Sequence, residues 1–143
     1  MVLDKLTYAW RLLATAFSFF AFGVGGVLIP IVVVPVLYLL PGDHLLREQR
    51  GQKFIHISFR LFIGMMRRLG VLTYSIKDVE RLQQAKLILA NHPSLLDVVF
   101  LISLVPNANC VVKAGLVRNP FMRGPIAAAG YIINNGDADD VIM

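Results

Sequence analysis

Hydrophobic residues dominate the first third of the chain. No charged residue lies between Arg11 and Asp43. A bilayer core of roughly 30 Å needs about 20 apolar helical residues, so residues 12–41 predict a membrane-embedded segment. The segment is long enough to span with a tilt or to bend into a re-entrant hairpin, and the alternative is a set of buried core helices. The positions at which a helix here can bend are Gly25, Gly26, Pro30 and Pro35.

A second pattern follows at residues 44–69, where apolar side chains recur at helical spacing. The apolar positions are Phe54, Leu61, Phe62, Met65 and Leu69, and the basic positions on roughly the opposite face are Arg50, Lys53, Arg60, Arg67 and Arg68. Beside a membrane segment, a basic amphipathic helix indicates contact with anionic lipid head groups. A surface helix packed on its own domain has the same pattern, so both interpretations stay open.

Beyond Gly70, which we expect to end this helix, short apolar runs alternate with helical patterns. The predicted strands are residues 71–76, 86–90, 109–113 and 130–134. The predicted helices are a short turn within 77–84, a helix over 95–104, and a stretch over 115–130 interrupted by Pro120 and Pro125. This alternation predicts an α/β fold. We therefore expect three parts: a membrane segment (1–42), a basic helix (43–69) and a partial α/β domain (70–143).

Composition and charge agree with a membrane-associated protein. The 143 residues are 57% hydrophobic, with a mean hydropathy of +0.67 and a net charge of +5. Basic residues are in excess just after the apolar segment, which places residues 44 onward on the cytoplasmic side. They carry no nucleic-acid-binding motif, so nucleic acid is not an expected partner. The single cysteine, Cys110, cannot form an internal disulfide and is most simply a buried strand residue.

The junction between the run at 86–90 and the helix at 95–104 carries candidate chemistry. A histidine at the carboxyl end of a strand, such as His92, points into the crevice where open α/β sheets bind ligands, and its usual pKa suits a general base. Asp97, in the first turn of the next helix, can hydrogen-bond its far ring nitrogen. Ser94 and Asp97 also fit a capping box. On the structural interpretation Asp97 only caps the helix and His92 only occupies a turn.

The stretch from Asn91 to Asp97, following KLILA, closely resembles the Asn-His-x4-Asp motif of the glycerolipid acyltransferases, the lysophospholipid acyltransferases that include 1-acylglycerol-3-phosphate acyltransferase. Further positions resembling that family are Lys113, Leu116, Asn119, Pro120, Phe121, Gly124 and Gly130. The membrane segment and the basic helix fit as well. The resemblance implies a membrane-bound enzyme of phospholipid biosynthesis or remodelling, with its α/β domain on the cytoplasmic side of a bacterial inner membrane.

The resemblance also implies a mechanism. His92 deprotonates a lysophospholipid hydroxyl, which attacks the thioester of acyl-CoA or acyl-carrier protein, and Asp97 orients the histidine. Asn91, Ser94 and Lys113 are the candidate substrate-binding residues, although Lys113 has the alternative of merely extending from a strand end. The expected partners are membrane lipids and acyl-carrier protein. The resemblance implies neither a metal nor a further cofactor.

The chain departs from the family pattern in two places. The family's second block runs Gly-x-Ile-Phe-Ile-Asp-Arg, whereas this chain has Gly136 where the phosphate-binding arginine is expected. It also ends before any Pro-Glu-Gly-Thr-Arg block, so we expect a truncated chain. The rival hypothesis is a truncated or degenerate, non-catalytic membrane module that binds lipid or a partner. A small helical membrane protein without chemistry would leave the runs at 71–76 and 86–90 unexplained.

Overall fold

The computed structural model describes residues 2–91 and 94–136, and this part of the chain is mostly helical. The helices are α1 (Val2–Leu28), a π-helical turn (Ile29–Val33), α2 (Val34–Leu39), α3 (His44–Arg68), α4 (Val79–Gln84), α5 (Leu95–Leu104), α6 (Ala114–Val117) and α7 (Pro120–Ala128). The strands are β1 (Val111–Lys113) and β2 (Ile132–Asn134). The helices predicted at 44–69, 77–84 and 95–104 are confirmed.

The predicted membrane segment forms one long helical rod from α1 through the π-helical turn into α2. In that turn the amide of Val34 donates to the carbonyl of Ile29, five residues back. Pro30 and Pro35 flank this bond, and neither has an amide hydrogen to donate. The widened turn is a known way for a helix to absorb such an interruption. Regular α-helix is therefore lost near the prolines and kept at Gly25 and Gly26.

The ends of α3 are set by local sequence. At its start the side chain of Asp43 accepts a hydrogen bond from the amide of Leu46 at 3.1 Å. At its end Gly70 adopts a φ of +74°, which few residues other than glycine take up. The amide of Val71 then donates to the carbonyl of Met66 at 3.0 Å, as in a Schellman motif. The predicted helix end at Gly70 is confirmed.

The buried stripe of α3 is not the one that the sequence predicted. Its buried positions are Gly51, Ile55, Ile63 and Met66. Leu61, predicted to lie on the apolar face, is 70% exposed, while Phe54 is half-buried. Helical periodicity locates an apolar face to within about one residue per turn. Because α3 contacts both α5 and α7, its buried stripe is shifted by about one residue from the predicted face.

The two strands form a small parallel sheet. Val111, Val112 and Lys113 of β1 pair with Ile132, Ile133 and Asn134 of β2. The connection between them runs through α6 and α7, because parallel strands need a crossover. The strand predictions at 109–113 and 130–134 are confirmed, with three residues in each strand. Pro125, predicted to interrupt the stretch between them, instead lies inside α7.

The strands predicted at 71–76 and 86–90 do not form, which corrects the extended α/β sheet expected from sequence. In the described residues the sheet has two strands, and neither run pairs with it. Leu87 and Leu89 are 76% and 87% exposed, so the second run is also not buried. A strand needs a second backbone beside it to satisfy its amides and carbonyls, and an apolar run alone does not supply one. These two predicted strands were the argument against a small helical membrane protein without chemistry, so that argument is weakened.

The core lies where α3 and α5 meet the segment that leads from α7 into β2. Its buried centre is Ile55, Ile102 and Ala129, and the partly buried hydrophobic residues around it are Phe59, Val98, Cys110 and Tyr131. Val99 of α5 is also almost fully buried, at 1% exposure. This core fixes α5 on the rest of the molecule and so determines where the candidate site lies.

Polar side chains add a second kind of contact, because they donate to carbonyl groups at or near the ends of other helices. The carbonyls at a helix end have no amide partner within the helix. The donors and acceptors are Trp10 Nε1 to Leu69 (3.1 Å), Arg50 to Pro41 (2.8 Å), Gln52 to Ala129 (2.8 Å), His56 Nδ1 to Ile102 (2.8 Å) and Gln83 to Leu104 (3.1 Å). These bonds specify how the helices are arranged, which apolar contact alone does not.

Candidate functional site

The start of α5 contains the capping box that the sequence predicted. The hydroxyl of Ser94 accepts from the amide of Asp97 at 3.3 Å, and Asp97 Oδ2 accepts from the amide of Ser94 at 3.0 Å. The hydroxyl of Ser94 also donates to Asp97 Oδ2 at 2.8 Å. Two of these three hydrogen bonds hold the carboxylate of Asp97 against Ser94, and the third fixes the hydroxyl of Ser94 on the first turn of the helix.

The same end of α5 is open to solvent while the rest of the helix is packed. Ser94 and Leu95 are exposed and Asp97 is half-buried, whereas Val99 and Ile102 are buried on α3. Asp97 lies in the first turn of α5, which is where a helix dipole accommodates an acidic side chain. Because the capping box uses Oδ2, the other carboxylate oxygen, Oδ1, is not part of it. The result is a rigidly held carboxylate at an accessible helix end.

The structure places the five predicted site residues in different ways. Ser94 and Asp97 are in direct contact, and Asn91 is exposed in the segment that leads to them. His92 lies outside the described residues. Lys113 is exposed at the carboxyl end of β1 beside Asn134, and among the described elements β1 contacts β2 and α6 but not α5. Lys113 is therefore not brought to the capping box.

A second histidine and carboxylate meet elsewhere, on the first two turns of α3. Nδ1 of His44 lies 3.3 Å from Oε1 of Glu48, at a spacing of four residues. His44 is 78% exposed, and the carboxylate of Glu48 lies against Gly130, at the far end of α7. The spacing of four on a helix was a signal that could have identified this pair. The His44–Glu48 pair has the geometry of an ordinary surface pair, and His44 provides a control for experiments on His92.

The thiol of Cys110 is held in its protonated form. Burial raises the pKa of Cys110, and burial together with the charge of Cys110 raises the pKa of Tyr131. A thiol needs to ionise to act as a nucleophile, so this surrounding disfavours catalysis by Cys110. The hydroxyl of Tyr131 is buried and has no hydrogen-bond partner among the residues that the structure describes. Within residues 2–91 and 94–136, no three potential metal ligands come together.

The long helical rod meets the length and composition requirements of a membrane span. The stretch Asp4–Leu39 has 36 residues, and its most apolar window reaches a mean hydropathy of 2.5. Signal sequences and the core helices of soluble proteins can share these properties. Only 6% of that window is buried within the described part of the chain. A large exposed apolar surface of this kind marks a site of contact with a membrane or with another protein.

Comparison with known proteins adds no relative: no protein-family model, curated protein or solved structure matches the chain. The functional argument therefore depends on its own residues. These define a long apolar helix with most of its surface uncovered, a basic helix packed beside it, and an accessible carboxylate fixed at the start of α5.

Proposed function

We propose that this protein is a membrane-bound O-acyltransferase that esterifies the hydroxyl of a lysophospholipid. The observation that carries the proposal is the capping box, in which Asp97 Oδ2 lies 3.0 Å from the amide of Ser94. Two peptide units separate Ser94 from position 92, so their Cα atoms are at most about 7.6 Å apart. An imidazole at position 92 is within reach of the carboxylate, which is what a histidine–carboxylate pair requires.

In the proposed reaction His92 removes the proton from the acceptor hydroxyl. The resulting alkoxide attacks the thioester carbonyl of acyl-CoA or acyl-carrier protein, and the tetrahedral intermediate collapses with cleavage of the carbon–sulfur bond. The protonated His92 then returns its proton to the departing thiolate, so that an ester and a free thiol are formed. Asp97 orients the imidazole and stabilises its charged form. No enzyme side chain is acylated in this scheme.

The membrane setting supports this assignment, because both the acceptor and the product are lipids. The uncovered apolar rod keeps the protein at a bilayer, and the basic residues of α3 favour the cytoplasmic side. The proposed site at the start of α5 faces solvent, from which a soluble thioester donor arrives. Asn91 and Ser94 shape the segment around His92. Lys113 is exposed on β1, which does not contact α5, so in this proposal it binds only a phosphate group that lies away from the reacting hydroxyl.

One observation favours the rival function, a non-catalytic membrane module. Gly136, which stands where the family has an arginine, forms a turn in which its amide donates to Asn134 Oδ1 at 2.8 Å. Its φ of +95° suits glycine and opposes a larger side chain. The end of β2 therefore offers no cation at that position, and an acceptor phosphate would need another partner.

The test is acyl transfer from a labelled acyl thioester to a panel of lysophospholipids, using detergent-solubilised membranes that contain the protein. Three proteins are compared: the native chain, His92→Ala, and His44→Ala, which removes an exposed histidine on α3. We expect product from the native chain and from His44→Ala, with at least a 100-fold loss in His92→Ala. Product that persists in His92→Ala would contradict the mechanism. No product from any of the three would favour the non-catalytic module.

A further inference from the structure

The segment that follows α3 has one side turned toward the protein. At the end of α3 the amide of Gly70 donates to the carbonyl of Arg67 at 3.1 Å, and the chain leaves the helix there. Burial then alternates along the segment: Tyr74 is half-buried, whereas its neighbours Thr73 and Ser75 are exposed. The ring of Tyr74 is therefore directed inward.

Tyr74 connects the end of α3 to α5 through two contacts. Its ring meets the ring of Phe100 edge to face, with 4.6 Å between the two centroids. The guanidinium carbon of Arg67 lies 5.2 Å from the centre of the same Tyr74 ring. Arg67, Tyr74 and Phe100 therefore form one continuous stack, which we call the Arg67 stack, from the end of α3 to the side of α5.

The Arg67 stack reaches α5 on the face that carries Asp97. Phe100 follows Asp97 by three residues, and side chains at this spacing are neighbours on one face of a helix. Side chains on a helix also lean toward its N-terminus, so the ring of Phe100 leans toward the turn that contains Asp97. Two ring contacts and one helix turn, a path of about 15 Å, therefore separate the cation of Arg67 from the proposed site.

The hydrogen-bond donors of Arg67 are available to a ligand. The side chain is exposed, and within the described residues its only recorded partner is the ring of Tyr74. The ring attracts the positive charge, whereas hydrogen bonds use the five N–H groups at the edge of the guanidinium. This planar edge matches the oxygens of a phosphate group. Because the contact with Tyr74 already restricts the side chain, less conformational freedom is lost when a ligand binds.

The proposed site needs a cation that the small sheet does not supply. The end of β2 has Gly136 and no basic side chain, and Lys113 lies on β1, which does not contact α5 in the described part of the chain. Arg67, in contrast, is linked by side-chain contacts to the face of α5 on which Asp97 lies.

We propose that Arg67 binds the phosphate of the lysophospholipid acceptor and that Tyr74 holds Arg67 in position. The phosphate accepts charge-assisted hydrogen bonds from the guanidinium while the hydroxyl of the acceptor lies at the start of α5. Tyr74 is a positioning residue, because it acts through Arg67. This inference rests on the proposed function and adds a preference to it: acceptors that carry a phosphate bind more tightly than neutral acylglycerols.

The position of Arg67 also has an explanation without a ligand, which the test must separate from binding. Basic residues in the last turn of a helix stabilise it through the helix dipole, and α3 has Arg67 and Arg68 there. Arg68 is exposed as well, and it lies about 100° further around the helix, with no recorded ring contact in the described residues. Arg68 therefore provides the matched control.

The test measures lipid binding in the absence of a thioester donor. Detergent-solubilised native protein, Arg67→Gln and Arg68→Gln are titrated in neutral micelles with labelled 1-acylglycerol 3-phosphate, or with the monoacylglycerol of the same chain length. We expect the native protein to favour the phosphate lipid, Arg67→Gln to lose about tenfold or more of that affinity, and Arg68→Gln to keep it. Equal losses in the two variants, or equal binding of the two lipids by the native protein, would overturn the proposal.

Two further arms identify the source of the phosphate and the role of the ring. Glycerol 3-phosphate has the head group of the acceptor, and adenosine 3′,5′-bisphosphate resembles the nucleotide of CoA. We expect the first to displace the lipid, while displacement by the second alone would assign Arg67 to the donor and overturn the proposal. Tyr74→Phe should keep the affinity, and Tyr74→Leu should lower it as Arg67→Gln does. Native affinity in Tyr74→Leu would overturn the positioning role.

Binding and acyl transfer can fail separately, because no donor is present in this assay. Binding that depends on Arg67 in a protein without acyl-transfer activity would support the phosphate site and contradict the proposed enzyme. Acyl transfer that is unchanged in Arg67→Gln, together with unchanged binding, would support the enzyme and overturn the phosphate site.

Discussion

Nδ1 of His56 on α3 lies 2.8 Å from the carbonyl oxygen of Ile102 on α5. In a continuing helix that carbonyl would accept from the amide four residues later, but position 106 is a proline and has none. The imidazole therefore supplies the hydrogen bond that Pro106 cannot, and it joins the two helices that form the core. This makes His56 a structural residue and separates it from the candidate site at the start of α5.

The role of His56 can be tested by removing its ring nitrogen. His56→Leu leaves the carbonyl of Ile102 without its donor in a partly buried place, and we expect a loss of about 1–3 kcal/mol in the free energy of unfolding. The measurement is chemical unfolding in detergent, with His44→Ala as the control for an exposed histidine. If both variants unfold alike, the contact contributes nothing to stability. Specific acyl transfer by the folded fraction of His56→Leu should be unchanged.

Two glycines of α3 should respond in opposite ways to the same substitution. A Cβ on Gly51 would overlap the backbone carbonyl group of Ala128, with 2.8 Å to its carbon, whereas a Cβ on Gly64 meets no atom within 4 Å. We expect Gly51→Ala to cost about 1–3 kcal/mol through overpacking. Gly64→Ala should gain about 0.5–1 kcal/mol from helix propensity. Thermal unfolding of both variants decides, and a neutral Gly51→Ala would contradict the close contact between α3 and α7.

Capping and catalysis by Asp97 can be separated by comparing its substitution with that of Ser94. Either Ser94→Ala or Asp97→Ala breaks the capping box, and each should cost about 1 kcal/mol of stability. If Asp97 also orients His92, Asp97→Ala will lower kcat about 100-fold or more, while Ser94→Ala will lower it less than tenfold. Measured side by side in the acyl-transfer assay, equal losses in the two variants would assign Asp97 to capping alone.

The alkaline stability of the protein should depend on Tyr131 and Cys110. Burial raises the pKa of both groups, so above about pH 9 the unfolded chain loses these protons before the folded protein does. Each group then lowers the free energy of unfolding by at most about 1.4 kcal/mol per pH unit, and neither affects it at pH 7. Urea unfolding at pH 8 to 11 should show a shallower decline for Tyr131→Phe and for Cys110→Ala than for the native chain.

At neutral pH the same Tyr131→Phe variant makes a separate prediction. The substitution removes a buried hydroxyl that has no hydrogen-bond partner among the described residues and keeps the ring in the core. We expect stability to stay level or rise by up to about 1 kcal/mol, because no hydrogen bond is lost. Tyr131→Ala, which also removes the ring, provides the contrast and should be clearly destabilising. A large loss in Tyr131→Phe would reveal a partner for the hydroxyl.

Local signals predicted this fold well, and signals that depend on a distant partner predicted it poorly. Gly70 and the Ser94–Asp97 pair determine helix ends within a few residues of themselves, and both were identified from sequence. The run at 86–90 has the composition of a strand, but a strand exists only if another backbone lies beside it. The contact of His56 with Ile102 could not be predicted, because the two residues are 46 positions apart and their distance depends on how α3 and α5 are placed relative to each other.

The same difference between local signals and signals that depend on a distant partner applies to the candidate site. Sequence predicted that Ser94 and Asp97 meet, since they lie three residues apart on one helix turn. It also placed Lys113 among the binding residues on its resemblance to the family pattern. That role stays a prediction, because β1 does not contact α5 in the described part of the chain. The spacing of two residues along the chain predicts their distance reliably only within one helix or strand. It does not do so for residues in two elements that a loop connects.

The hydrogen bond from the indole of Trp10 to the carbonyl of Leu69 joins the first part of α1 to the end of α3. Trp10 is the only tryptophan in the 143 residues, so the tryptophan fluorescence of the protein comes from this one junction. Its emission wavelength is therefore a label-free reporter of whether α1 and α3 stay in contact at this point, readable in detergent, in vesicles or during unfolding without any added dye.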